Sequence, residues 1–279
     1  MTTATATTTA TATAIPEAER GEVSQLKVIH SEWIKLRSLR STLFTLLAAV
    51  VAMIGLGYLF SYFTADRWSH LPADERLNFD PTLTSLRGFF LAQLAVGVLG
   101  VLVVSGEYAT GMIRASLSAV PRRLPVLWAK ALVFGAVTWV LMTIAALIAF
   151  LIGQAVLSGH HLGTSLGSPG VLRAVLGAGL YLTVLGLIGV ALGALIRNTA
   201  GGIATLFGVL LVLPVLAEAL PSSWFNAINK YLPSTAGQGL IRVHQAAHTL
   251  SPWSGFAVFC LYAVITLAGA AVALKRRDA

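Results

Sequence analysis

The sequence predicts an all-α integral membrane protein with six transmembrane helices. Three observations carry that reading. The chain of 279 residues is 56% hydrophobic and only 11% charged, where a soluble domain carries roughly a quarter charged residues. Its mean hydropathy is +0.80. Apolar runs of about twenty residues recur along it, the length that crosses a hydrocarbon core as a helix. One membrane domain, residues 23–279, follows a short tail, residues 1–22, and no room is left for a second large domain.

The tail opens on "MTTATATTTATATA". It has neither a basic start nor an apolar stretch of the secretory-signal kind. Threonine and alanine offer little to bury, so disorder is expected there.

Residues 23–42, "VSQLKVIHSEWIKLRSLRST", read as a helix lying on the membrane surface. Val23, Leu26, Ile29, Trp33 and Leu36 fall on one side at helical spacing, with Ser24, Lys27, Ser31 and Ser38 opposite. Arg37 and Arg40 fall on the apolar side and must snorkel. Trp33, Lys35 and Arg37 are the candidate interfacial residues. The plainer alternative is a basic flank of the next span.

Six spans follow, at about residues 43–63, 89–104, 126–151, 174–196, 202–220 and 255–274. Pro125 enters the third at a position where a first helical turn tolerates proline. Pro214 predicts a kink in the fifth. Lys275, Arg276 and Arg277 stop the sixth. The single cysteine, Cys260, lies within the sixth span and reads as a small buried hydrophobe.

Basic residues set the orientation. With the N-terminus inside, 13 of the 19 Lys and Arg residues fall on the inner side. That asymmetry predicts both termini in the cytoplasm. The net charge of +8 is therefore read as a topology signal and not as a nucleic-acid surface. The same orientation puts "SGEYATGMIRASLSAVPRR", Ser105–Arg123, on the inner side between two apolar runs. It reads as a short helix, capped by Thr110 or Gly111 and stopped by Pro121. Glu107 stands out, because topology does not demand an acid at an inner border.

On the outer side, 221–254 is too patterned for a plain loop. Trp224, Phe225, Ile228, Tyr231 and Leu232 follow helical spacing, with Ser222 or Ser223 as cap and Pro233 as stop. Ala236–Leu250 reads as a second short helix. The pair is either re-entrant or rests on lipid.

Several chemistries are excluded or disfavoured. A phosphate-binding loop needs Gly-Lys before Ser or Thr, and none of the lysines follows a glycine. "GTSLG" at Gly163–Gly167 matches a nucleophile-elbow pattern only formally, since no histidine or acid lies in the sixth span to partner Ser165. His160, His161, His244 and His248 lack the acid and cysteine companions of a zinc site. No catalytic, cofactor-binding or metal site is expected. The spans hold almost no charge beyond Lys130 near an inner end and Glu218 near an outer one, which argues against a proton pump or a charged ion filter. Gln93, Thr138 and Gln154 are the candidate path-lining residues. Gly189-x-x-x-Gly193 and Ala145-x-x-x-Ala149 allow close helix contacts, within the chain or at a dimer seam.

Four of these features together resemble the permease subunits of ABC-2 type transporters, a type V exporter-like arrangement. They are the surface helix "SEWIKLRSLRST", the inner "GEYATGMIRASLSAVPRRLPVLWAKAL", the six-span layout with both ends inside, and the outer "SSWFNAINKYLP". The likeness runs from about Val28 to Arg277. It implies that Glu107–Arg123 forms a coupling helix against a separate ATP-binding subunit, with Glu107, Tyr108, Thr110, Arg114, Arg122 and Arg123 as coupling residues. The same arginines serve equally as positive-inside flanks or for lipid phosphates. It further implies a second permease, identical or paralogous, in the cell membrane, ATP and magnesium held by the partner ATPase, and export by alternating access. The alternative is a six-span assembly or sensor protein that transports nothing.

Overall fold

The computed structural model describes residues 24–112, 123–245 and 248–276. The expectation for residues 1–22 lies outside them, as does most of the inner insert. No strand occurs among the described residues. Six helices are long and apolar enough to cross a membrane.

Helix α1, Gln25–Ser38, ends where Leu39 turns extended, and α2, Arg40–Asp66, begins at once as the first span. Two short helices follow, α3 (Ala73–Leu77) and α4 (Pro81–Leu86). The second span is α5, Phe89–Ala109, and the third is α6, Arg123–Ser158. The fourth is α7, Val171–Ile196. The fifth is assembled from α8 (Thr199–Phe207), a π turn at Gly208–Val212 and α9 (Leu213–Glu218). Short helices α10 (Ser222–Ile228) and α11 (Pro233–Gln238) precede the sixth span, α12, Pro252–Arg276. The six spans fall where the apolar runs put them, with ends displaced by at most seven residues.

Helix α7 is the axis of the bundle. In its most apolar stretch 67% of residues are buried, against 22% in the first and fifth spans. It packs on α5, α6 and α12. The α5–α7 crossing is close because glycines face backbone. A Cβ on Gly189 would stand 2.6 Å from the Gly97 carbonyl, and one on Gly193 2.6 Å from that of Val101. One on Gly100 would collide with the Gly186 carbonyl. The Gly189/Gly193 pair therefore serves packing within the chain. Ala149 does the same on the first span, opposite Gly57.

Pro214 sits at the start of α9, directly after the π turn. Its ring has no N–H and crowds the carbonyl four residues back, and a widened turn relieves that crowding. At 36 residues α6 is about 54 Å long, well beyond a hydrocarbon core of about 30 Å. Both of its ends thus reach the membrane borders, and both carry polar anchors.

On the side opposite α1, the sequence offered no elements between the first two spans. The structure tucks α4 there, burying Thr82, Thr84, Ser85 and Leu86. Asp80 caps it, Oδ1 accepting from Leu83 N at 3.0 Å, while Oδ2 accepts from Val243 N at 3.3 Å. The segment before the last span also differs from expectation. Pro221, and neither serine, precedes α10, which ends in a tight turn at Asn229–Tyr231. Pro233 opens α11 where it was expected to close a helix, because proline fits a first turn as well as a stop. The second helix is thus Pro233–Gln238, and among the described residues of Ala236–Leu250 only the beginning is helical. Arg173 holds the following turn, donating to the carbonyls of Leu240 at 3.4 Å and Arg242 at 3.0 Å. Cys260 is half-buried.

Candidate functional site

The most unusual chemistry lies where α1 meets the ends of α5 and α6. Lys130, about two turns into α6, is buried. Its Nζ donates to Glu32 Oε2 at 2.6 Å and to Glu107 Oε1 at 2.9 Å. Lys35 Nζ, on α1, donates to Glu32 Oε1 at 2.7 Å and to Glu107 Oε1 at 3.3 Å. Among the described residues, two acids and two bases from three helices thus form one cluster. Charges this dehydrated persist only when paired and hydrogen-bonded.

The cluster explains the seat of α1. Its buried residues are Val28 and Glu32. Val28 packs with Val126 and Ala129 of α6, and Ile29 closes the contact. The expected apolar side is therefore rotated. Trp33 is 44% exposed and Leu26 is 74% exposed, whereas Glu32 is 4% exposed. The side that packs on the bundle is not the apolar stripe: an acid is buried there, and its partner Lys130 is 98 positions away. Burial opposes ionisation of Glu32, but Lys130 and Lys35 outweigh it and hold the carboxyl below its ordinary range. For Lys35, burial likewise opposes the charge, and Glu32 and Glu107 raise it above the ordinary ammonium range.

The end of α5 is a hub. Besides Glu107, Ser105 Oγ lies 2.9 Å from Thr199 Oγ1 at the start of α8. The Arg197 guanidinium stands 5.1 Å above the Tyr108 ring. Thr110 ends α5, its hydroxyl donating back to the Gly106 carbonyl at 2.9 Å; the insert helix it was expected to cap lies outside the described residues. Gly111 follows with a φ of +72°, the left-handed turn that glycine permits. Glu107 itself is not a surface acid: it is 9% exposed and engaged within the chain. Arg114, Arg122 and the Arg123 side chain lie outside the described residues. Arg37 is on α1 and makes its charge available in the last turn.

The family model described as ABC-2 family transporter protein matches residues 28–219. The chain belongs to the ABC-2 transporter family. The match runs from the buried face of α1 through all five of the first spans, so it includes every member of the ion cluster. No curated protein matches the chain. The ABC-2 protein is a multi-pass membrane permease, and the all-helical bundle agrees with that family's fold.

The remaining site expectations are placed as follows in the ABC-2 permease. Gln93 is buried on α5 and accepts from the Tyr181 hydroxyl at 2.6 Å. Gln154, near the far end of α6, donates to the Pro81 carbonyl at 3.0 Å and to Ser85 Oγ at 2.9 Å, and accepts from Thr164 N at 2.7 Å. Thr138 is fully buried. All three thus lie inside the protomer's own packing, where Gln154 fastens α4 to the bundle. Ser165 is exposed on a loop, its hydroxyl 3.2 Å from that of Ser168. Glu32 was overlooked because a lone acid in a basic surface helix looks solvated. Lys130 carried the usable signal: an ionisable residue within a span needs a partner.

Proposed function

We propose that this permease forms the membrane path of an ATP-driven exporter and is driven by a separate ATP-binding subunit that holds ATP and magnesium. The α1 face is cytoplasmic in this reading, the membrane is the cell membrane, and a second permease, identical or paralogous, completes the path. The supporting observation is the Glu32–Lys130–Glu107–Lys35 cluster. The insert after α5 leaves the bundle just beyond Glu107 and returns just before Lys130. Both of its ends are thus fastened to one point, and α1 is fastened to the same point. A push on the insert by a closing ATPase pair would move α1, α5 and α6 together.

Within this proposal Arg114, Arg122 and Arg123 contact the ATP-binding subunit. Glu107, Lys35, Tyr108 and Thr110 act indirectly, by holding the base of the lever. Trp33 and Arg37 face the membrane border, where indole rings and long cations favour the headgroup region. Gln93, Thr138 and Gln154 would reach a path only if the bundle opened, and they serve foremost as internal anchors.

The test is co-purification with a candidate ATP-binding subunit, followed by ATP turnover and export in reconstituted vesicles. The isolated permease is expected to hydrolyse no ATP. The pair Arg122→Glu/Arg123→Glu should weaken the complex, since reversing charges at a docking surface costs on the order of a few kcal/mol. Deleting residues 110–120 should abolish binding. Undiminished binding after that deletion would leave the six-span assembly or sensor protein as the better reading.

A further inference from the structure

A cavity of about 380 Å³ opens beside the ion cluster, between α1, α2, α5 and the start of α6. Its floor is charged, formed by Glu32, Lys35, Glu107 and Lys130. Its α5 and α6 wall is apolar, with Leu99, Leu102, Val103 and Val133 rising from the border into the span, while Ser41, Thr42 and Thr45 line the α2 side. Leu102 is 37% exposed and Leu39 is 53% exposed, so the rim faces the bilayer. Gly106 lies on the cavity wall, and a Cβ built there meets nothing within 4 Å. The space is therefore not taken up by side chains of the described residues.

Glu107 adds the chemical signal. Its Oε1 accepts from both lysines, while its Oε2 is buried and has no hydrogen-bond partner among the described residues. A buried carboxylate oxygen without a donor is unfavourable by about 1–3 kcal/mol or more. A donor that also carries positive charge would relieve it best. Lys35, the most exposed member of the cluster, stands at the same cavity with the opposite charge. Among the described residues the cluster holds two acids and two bases, so a group bearing both signs finds a counterpart for each.

We propose that this cavity binds a phospholipid with a primary ammonium headgroup from the leaflet on the α1 side. The ammonium donates to Glu107 Oε2, the phosphate lies toward Lys35, and the upper acyl chains lie along Leu102 and Val103. The rest of each chain stays in the bilayer. A quaternary ammonium headgroup has no N–H to donate and satisfies the same geometry poorly. The binding step does not depend on ATP coupling or on the identity of any exported molecule.

The experiment uses the full chain in lipid nanodiscs with two photoactivatable probes, a phosphatidylethanolamine and a phosphatidylcholine, each with a diazirine in the acyl chain. After irradiation, labelled peptides are mapped by mass spectrometry. The ethanolamine probe should label the Leu99–Gly106 stretch roughly tenfold more than the choline probe, the ratio that one charge-assisted hydrogen bond supports. Gly106→Leu fills the cavity and leaves the cluster untouched, so it should reduce that labelling to the choline level. Leu102→Trp blocks the same space from the rim if the first variant does not fold. Glu107→Gln should erase the preference between headgroups. Equal labelling by both probes in the parent protein overturns the proposal, since that is ordinary contact with surrounding lipid. Undiminished ethanolamine labelling in a folded cavity-filled variant overturns it as well.

Discussion

Lys130 Nζ and Glu32 Oε2 stand 2.6 Å apart although 98 residues separate them. One belongs to the third span and the other to the short helix α1 that precedes the first. Their contact, with Glu107 as third partner, makes α1 part of the bundle.

Lys130→Met should destabilise the protein by roughly 3–5 kcal/mol, because two buried carboxylates would then share only Lys35. Lys130→Arg should retain most of the stability, since its charge remains. Thermal unfolding in detergent reads the difference. If the methionine variant melts with the parent, the cluster does not hold the fold.

The pairing also sets a pH window. Glu32 has its carboxyl below the ordinary value of 4.5, so its stabilisation is present at neutral pH and is lost as pH falls through that lowered value. Lys35 is raised above its ordinary 10.5, so its share is complete below 10.5 and is lost only as pH climbs beyond it. The seat of α1 should therefore be constant from about pH 5 to 10. Fluorescence of a probe on α1, followed across pH, checks this. A transition near pH 7 would show that another group controls the contact.

The rotated face of α1 separates two substitutions. Val28→Glu places an unpaired charge against Val126 and Ala129 and should detach the helix. Trp33→Glu changes an exposed residue and should leave folding close to the parent while weakening attachment at the membrane border. Protease sensitivity of the α1–α2 junction distinguishes them. Equal sensitivity in both variants would contradict the buried side described above.

Gly100→Leu should be among the most damaging substitutions in the bundle, because its side chain meets the Gly186 backbone. Gly55→Ala is the control: the added methyl meets nothing within 4 Å and the helix gains propensity. Comparing folded yield and unfolding temperature tests the crossing. A stable Gly100→Leu protein would mean that α5 and α7 do not approach this closely.

Topology is tested by single cysteines at Ser118 and Asn229 in a Cys260→Ser background. A membrane-impermeant thiol reagent should reach Asn229→Cys from outside and Ser118→Cys only after permeabilisation. Labelling of both from outside would invert or break the assignment.

The six spans were legible in the sequence because each needs only a run of apolar residues long enough to satisfy its backbone within lipid, a local property. An irregularity beside Pro214, here a π turn, was legible for the same reason, since proline acts on its own turn. The facing of α1, the placement of α4 and the cluster were not. Pro81–Leu86 is too short to show a period, and it is held by Asp80 and by Gln154, 73 residues from Pro81. Glu32 looks like a solvated acid until the third span brings Lys130 to it. Gly189 and Gly193 announced a close contact, yet only the packed bundle chose α5 as the partner. Hydropathy decides which segments enter the membrane. Which charges are removed from water, and against what, depends on helices that meet only after the bundle has formed, where desolvation makes pairing decisive.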